Sequence, residues 1–238
     1  MLSSLLRKGV AAPYGGRPRF VHLTSAGVLA LALGSAAPAQ EQRQAQGAAA
    51  EVHIFALGDS LTAGFGLPRR QGFVPQLEAY LRRQGVAARI TNAGVSGDTA
   101  AQGRQRLGWT LDGLPRKPDL AIVALGANDM LRGLAPEETR RELDAILSEL
   151  KRRNIRLLVA GMVAAPNLGP DYAARFNAIY PELARTNAAA LHPFFLDGVA
   201  GQRGLNQPDG LHPNFAGVKE MVMRIAPSVM QAAGTPRP

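Results

Sequence analysis

Apolar positions along the chain follow two alternating patterns. Short apolar runs at residues 52–57, 87–92, 120–125, 157–163 and 194–196 have the length of strands. The third, Leu120-Ala-Ile-Val-Ala-Leu125, is apolar throughout, as in a strand buried on both faces. Between the runs, apolar residues recur at helical spacing. Val74, Leu77 and Leu81 form one stripe, with Pro75 read as the first helical residue. Leu143, Ile146, Leu147 and Leu150 form a second. That helix opens on Pro136, Glu137 and Glu138 and closes on Lys151, Arg152 and Arg153, so both ends complement its dipole. Tyr172, Phe176 and Ile179 make a third stripe, which Pro181 is expected to split or kink. Val218, Met221, Val222 and Ile225 make the last.

Strands separated by helices are βαβ units. They predict an α/β fold: a five-stranded parallel sheet covered by helices on both faces, a three-layer α/β/α sandwich. Functional residues then belong beyond the carboxyl ends of the strands.

The amino-terminal stretch differs from the rest. Arg7, Lys8, Arg17 and Arg19 precede an apolar run over residues 21–33, and small residues follow, ending in Ala37-x-Ala39. Residues 1–39 read as a secretory signal cut after Ala39, which predicts a periplasmic or secreted protein. The run is too short to span a bilayer comfortably. A retained membrane tether is the alternative. Residues 40–50 are Gln/Ala-rich and aperiodic, a linker to a domain over 51–232, and 233–238 form a tail.

Charge changes less than it promises. The 238 residues carry a formal +9, and removal of the signal leaves +5. The basic residues are scattered, mostly Arg, and not interleaved with aromatics. This reads as a solvated surface and excludes a nucleic-acid partner. There is no Cys, so disulfides, thiolate metal sites and a cysteine nucleophile are excluded together.

Four turns hold the unusual residues: Gly58-Asp59-Ser60-Leu61-Thr62, Asn92 to Asp98, Gly126-Ala127-Asn128-Asp129, and Asp209-Gly210-Leu211-His212-Pro213-Asn214. Acyl transfer by serine needs a hydroxyl, a base, a carboxylate to orient it, and oxyanion donors. Ser60, His212 and Asp209 supply the first three. Backbone N–H groups of Ser60 and Gly94 and the Asn128 amide supply the donors. Other readings compete. Ser60 would also serve as a helix cap, and Ser96 is a rival hydroxyl. Asp59, Asp98 and Asp129 read as turn-bracing acids, and His53 and His192 as structural histidines without metal-ligand spacing to His212. Gly64-Phe65-Gly66 lacks the third glycine of a dinucleotide fingerprint, and no G-x-S-x-G elbow occurs.

These blocks, in this order, resemble the SGNH (GDSL) hydrolases, over about residues 51–232. The nearest branch is that of bacterial periplasmic acyl-CoA thioesterase I, lysophospholipases and arylesterases. Gly58-Asp59-Ser60-Leu61, Gly94 with Ser96-Gly97-Asp98-Thr99, Gly126-x-Asn128-Asp129 and Asp209-Gly210-x-His212-Pro213 match its four blocks. Leu131-Arg132-Gly133, Phe176 to Pro181, and Pro193-Phe194-Phe195 also match the branch, while Ala127 stands where it often has a second glycine. The resemblance implies a flavodoxin-like fold, a Ser60–His212–Asp209 triad, and Ser60, Gly94 and Asn128 as oxyanion hole. It implies no cofactor and no metal. In this branch the segment after the fourth strand borders an acyl groove, so Leu168, Tyr172 and Phe176 are expected to line it. Tyr172 and Phe176 as plain helix-core residues are the alternative. The expected partner is a small acyl ester or thioester, with transient lipid contact. A carbohydrate acetyl-esterase, an acyltransferase and a non-catalytic periplasmic binding protein are the competing functions.

Overall fold

The computed structural model describes residues 51–234. The expected signal segment, the linker and residues 235–238 of the tail lie outside the described residues.

Five strands, all parallel, form one sheet in the order β2-β1-β3-β4-β5. They are β1 (Val52–Gly58), β2 (Ala88–Gly94), β3 (Leu120–Ala124), β4 (Arg156–Ala160) and β5 (Ala190–His192). The central strands are apolar because both faces are covered. Ile54 to Leu57 and all of β3 are buried, whereas edge strand β2 alternates and exposes Arg89 and Asn92. Helices α1 (Ser60–Ala63), α2 (Phe73–Arg83), α3 (Ala100–Asp112), α4 (Ala127–Leu131), α5 (Pro136–Arg152), α6 (Pro170–Asn187) and α7 (Phe215–Ala232) connect them. Packing of α3 on α5 and α5 on α6 builds one outer layer, and α2 against α7 builds the other. The expected three-layer sandwich is present.

The structure departs from the sequence reading at the fifth strand and at two prolines. The fifth strand is Ala190–His192, not 194–196. Beyond it the chain keeps touching β4, with the Gly161 N–H donating to His192 O and the Phe195 N–H to Gly161 O, then turns. Phe195 is buried and meets Phe73 edge-on at 4.9 Å, so its apolarity serves the core rather than a strand. Helix α6 runs through Pro181 unbroken. Pro181 faces solvent, while Ile179, Tyr180, Leu183 and Ala184 anchor both sides in the core. Pro75, read as the first residue of its helix, is the third of α2, still within the turn that needs no intrahelical N–H bond.

The order 2-1-3-4-5 places a topological switch between β1 and β3, since the chain leaves β1 toward β2 and returns on the other side. Crevices form at such points. The register brings Gly58 level with both Gly94 and Ala124, so the turns after β1, β2 and β3 emerge side by side.

Candidate active site

The turn after β1 is compressed. A Cβ on Gly58 would lie 2.0 Å from Thr62 Oγ1 and 2.9 Å from Ala124 O, so the close return of the chain requires glycine. Asp59 caps α1, its Oδ1 accepting from the Leu61 N–H at 3.0 Å. Its carboxyl is buried, and that desolvation raises it from 3.8 to about 6 against the opposing pull of the Leu61 N–H. Ser60 follows as the first residue of α1. Its backbone N–H belongs to the first turn, whose amides have no intrahelical acceptor.

Two further turns close on it. Gly94 presses against α1, where a Cβ would stand 2.4 Å from Ala63 N. The Gly94 N–H donates to Asn92 Oδ1 at 2.9 Å in this structure. Asn128 is the second residue of α4, entered through Gly126 at φ 109°. Below Gly126 lies the buried Tyr180, whose hydroxyl donates to Leu125 O at 3.1 Å. The Asn128 Nδ2 donates to Asp98 O at 3.0 Å and stands 3.5 Å from Asp59 Oδ2.

Arg106, on α3, binds these turns together. Its Nε donates to Asp98 Oδ2 at 2.6 Å and its guanidinium reaches Gly58 O at 3.0 Å. Asp129 does similar work from α4, accepting from the Ala100 N–H at 2.9 Å and from Thr139 Oγ1 at 3.3 Å. Asp59, Asp98 and Asp129 thus brace turns, in the role read from the sequence.

The fourth turn arrives from the far end of the chain. His212 Nε2 lies 2.9 Å from Ser60 Oγ, and its Nδ1 lies 2.7 Å from Asp209 Oδ2. Asp209 Oδ1 accepts from the N–H groups of His212 and Leu211 at 3.0 and 2.9 Å. The His212 N–H first, then its imidazole and the Leu211 N–H, hold the Asp209 carboxyl down at about 2. An ionised carboxylate at Nδ1 favours the tautomer with its proton there, leaving Nε2 to accept from the serine hydroxyl. Gln207 steadies this loop. Its backbone N–H donates to His212 O, and its Nε2 donates to Phe65 O at 2.8 Å and Pro213 O at 3.0 Å. Phe65 in turn lays its ring 4.5 Å from that of His212.

The loop after β4 forms a side wall. The Ala165 N–H approaches Met130 Sδ at 3.1 Å, and Ala164 is held by Asn177 Oδ1, which fixes the loop beside α4. Leu168 is half-buried there. Tyr172, also half-buried, donates its hydroxyl to Leu134 O and stacks on Phe176 at 5.7 Å. Phe176 has no exposed surface. It corrects the expectation of a lining residue: it supports the Tyr172 ring from behind, because its position on α6 faces the core. His53 and His192 take no part. His53 sits near the amino end of β1 with Nε2 2.9 Å from Thr91 Oγ1, and His192 ends β5; burial lowers both.

Sequence reasoning passed over Arg106, Phe65 and Gln207. All three act across the fold, over 48 residues for Arg106 to Gly58 and 142 for Gln207 to Phe65. No local pattern marks such a residue.

Residues 56–219 match the model of the GDSL-like lipase/acylhydrolase family. The chain belongs to this family. Esterase TesA of Pseudomonas aeruginosa is 37% identical over 184 residues, covering 77% of this chain and 90% of that protein. The arylesterase of Vibrio mimicus is 36% identical over 160 residues, covering 67% of this chain and 79% of the relative. Among solved structures, AlinE4, an SGNH-hydrolase family esterase, shares 50% identity at a TM-score of 0.67, covering 77% of this chain and 97% of its own. The structure of TesA superposes at 0.72 with 36% identity, covering 76% of this chain and 99% of its own. This SGNH hydrolase is therefore a serine-type carboxylic ester hydrolase, acting on small acyl esters or thioesters.

Proposed function

We propose that Ser60 is the nucleophile, with His212 as its base and Asp209 as the group that orients it. The observation that carries this reading is the unbroken relay from Ser60 Oγ through both His212 nitrogens to Asp209, at 2.9 and 2.7 Å. Ser60 Oγ attacks the acyl carbonyl as its proton passes to His212 Nε2. The resulting oxyanion accepts from the Ser60 N–H, the Gly94 N–H and the Asn128 Nδ2. For Gly94 this means exchanging Asn92 Oδ1 for the oxyanion. The alcohol or thiol leaves with the proton from His212. Water then attacks the acyl-enzyme, giving its proton to Nε2, and the acid departs as Ser60 recovers its hydrogen. Asp209, ionised throughout, stabilises the imidazolium without taking its proton.

The substrates of this reading are aryl esters, acyl-CoA thioesters and lysophospholipids, their acyl chains lying along Leu168 and Tyr172. The half-buried apolar wall supports acyl chains over acetylated sugars, which call for a polar groove. The names of the Vibrio mimicus arylesterase and of the Escherichia coli thioesterase 1/protease 1/lysophospholipase L1 agree with it. The site of action is the periplasm or the exterior, reached by the segment 1–39.

The test is a panel of p-nitrophenyl esters, acyl-CoAs, lysophospholipids and acetylated xylan. Ser60→Ala should lower kcat on every hydrolysed member by about 10⁴-fold or more. Retained turnover in that variant overturns the mechanism. Preference for acetylated xylan overturns the substrate reading alone.

A further inference from the structure

Eight large apolar side chains are exposed among the described residues, and their distribution is uneven. Trp109 and Met223 lie along helices α3 and α7. The other six, Phe65, Val95, Leu131, Val163, Leu211 and Phe215, all occupy the carboxyl end of the sheet, each in or beside a turn that follows a strand. Each of the six is between 42 and 54% exposed. A substrate crevice needs apolar residues inside it, not a ring of them around its mouth.

The turns bearing them are fastened to one another. Gln207 ties the Phe65 turn to the Leu211 loop, Arg132 ties α4 to Gly97 O beside Val95, and Ala165 ties the Val163 loop to Met130. The six residues thus sit in two braced groups at that end, Phe65 with Leu211 and Phe215, and Val95 with Leu131 and Val163. An apolar collar at one end of a soluble fold marks an interaction surface.

Charge names the occupant. Arg69, Arg70, Arg132, Arg203 and Lys219 stand at the same end. Its acids are mostly taken up: Asp59 and Asp129 are buried, Asp98 pairs with Arg106, Asp209 holds His212, Glu137 pairs with Arg175 and Glu220 with Arg224. The exposed acids there without an Arg partner are Glu138, Asp171 and Asp209, three against those five cations. Lys219 places its ammonium 5.8 Å from the Phe215 ring, a cation and an apolar ring side by side. Exposed apolar side chains with a surplus of cations match the surface of an anionic phospholipid bilayer.

We propose that this SGNH hydrolase docks its carboxyl-end collar on anionic phospholipid membranes, turning the Ser60 crevice toward the lipid. Docking does not depend on hydrolysis, so it is measured in Ser60→Ala by sedimentation with vesicles. Failure of the catalytic assignment would leave that measurement untouched. Binding should be strong to equimolar phosphatidylglycerol–phosphatidylcholine vesicles, weak to phosphatidylcholine alone, and reduced by salt. Adding Leu131→Ser, Val163→Ser and Phe215→Ser together should weaken it at least about tenfold. Adding Trp109→Ser and Met223→Ser should not. Arg69→Gln with Arg70→Gln should cost roughly fivefold per arginine removed. With Ser60 intact, the triple variant should keep its activity on soluble p-nitrophenyl acetate. A second readout does not rely on that variant folding: Trp109→Phe with Phe215→Trp should show an indole blue shift on anionic vesicles, and the parent Trp109 should show none. Equal binding by collar and control variants, no partition to anionic vesicles at low salt, or an unmoved indole spectrum at position 215 would overturn the proposal.

Discussion

The two halves of the site are held in place by different physics. Ser60 and its neighbouring donors are seated by backbone and core: buried Asp59 and Thr62, glycines with no room for a Cβ, and Arg106 joining two turns. His212 and Asp209 ride on an irregular loop between β5 and α7, steadied chiefly by side-chain amides. Asn206 donates to Val199 O and Gln202 O, Asn214 donates to Gly204 O and caps α7, and Gln207 reaches Phe65. The nucleophile side cannot shift without disturbing the sheet. The base side is able to shift by loosening a few surface hydrogen bonds, each worth about 1 kcal/mol net. Loss of a residue that seats the first half should therefore register in stability, and loss of one that steadies the second in turnover.

The largest effect expected of the variants that probe this contrast is in Asn128→Ala. Under the proposed mechanism this removes one oxyanion donor and should lower kcat by about 10²–10³ while KM changes little. A loss confined to KM would mean that the amide only braces Asp98. Arg106→Leu comes next. It strands the Asp98 carboxylate in a nearly buried position and frees Gly58 O, so unfolding free energy should fall by about 3 kcal/mol in urea titrations. Unchanged stability would erase the contrast between the halves.

Asp59 sharpens it through pH. A carboxyl raised to about 6 in the folded state, against 3.8 ordinarily, keeps its proton where the unfolded chain has lost it. Stability should therefore fall as pH rises between about 4 and 6, by roughly 3 kcal/mol in all, and then level off. Asp59→Asn keeps a cap acceptor and should flatten that part of the profile. The smallest effect belongs to the loop. Gln207→Ala should shift unfolding by about 1 kcal/mol or less, yet reduce kcat roughly tenfold as His212 loses its hold through Phe65 and Pro213.

The same contrast explains what the sequence discloses. Ser60, Gly94, Asn128, Asp209 and His212 each lie in a short cluster of Gly, Asp and Asn, at a strand's end or in the loop beyond β5, so local composition announces them. The strands announce themselves where burial is two-sided, as in Leu120–Ala124. Helix α3 does not, because its core face is Ala100, Gly103, Leu107 and Leu111, whose small residues dilute the apolar stripe; the structure shows it opening on a Thr99–Gln102 capping box. Ala190–His192 is hidden beside the more apolar Phe-Phe-Leu that follows, since hydrophobicity alone does not separate a strand from a core plug. Arg106 and Gln207 are illegible because their partners are brought together only by the fold.

The strand order has a consequence for synthesis. The sheet starts from an interior strand, β1, and Ser60, Gly94 and Asn128 are all synthesised within the first 128 residues. His212 is added 84 residues after Asn128. Under the proposed mechanism a nascent chain carries a serine with no base. Hydrolytic capacity is thereby withheld until the fifth strand and the loop beyond it have been made.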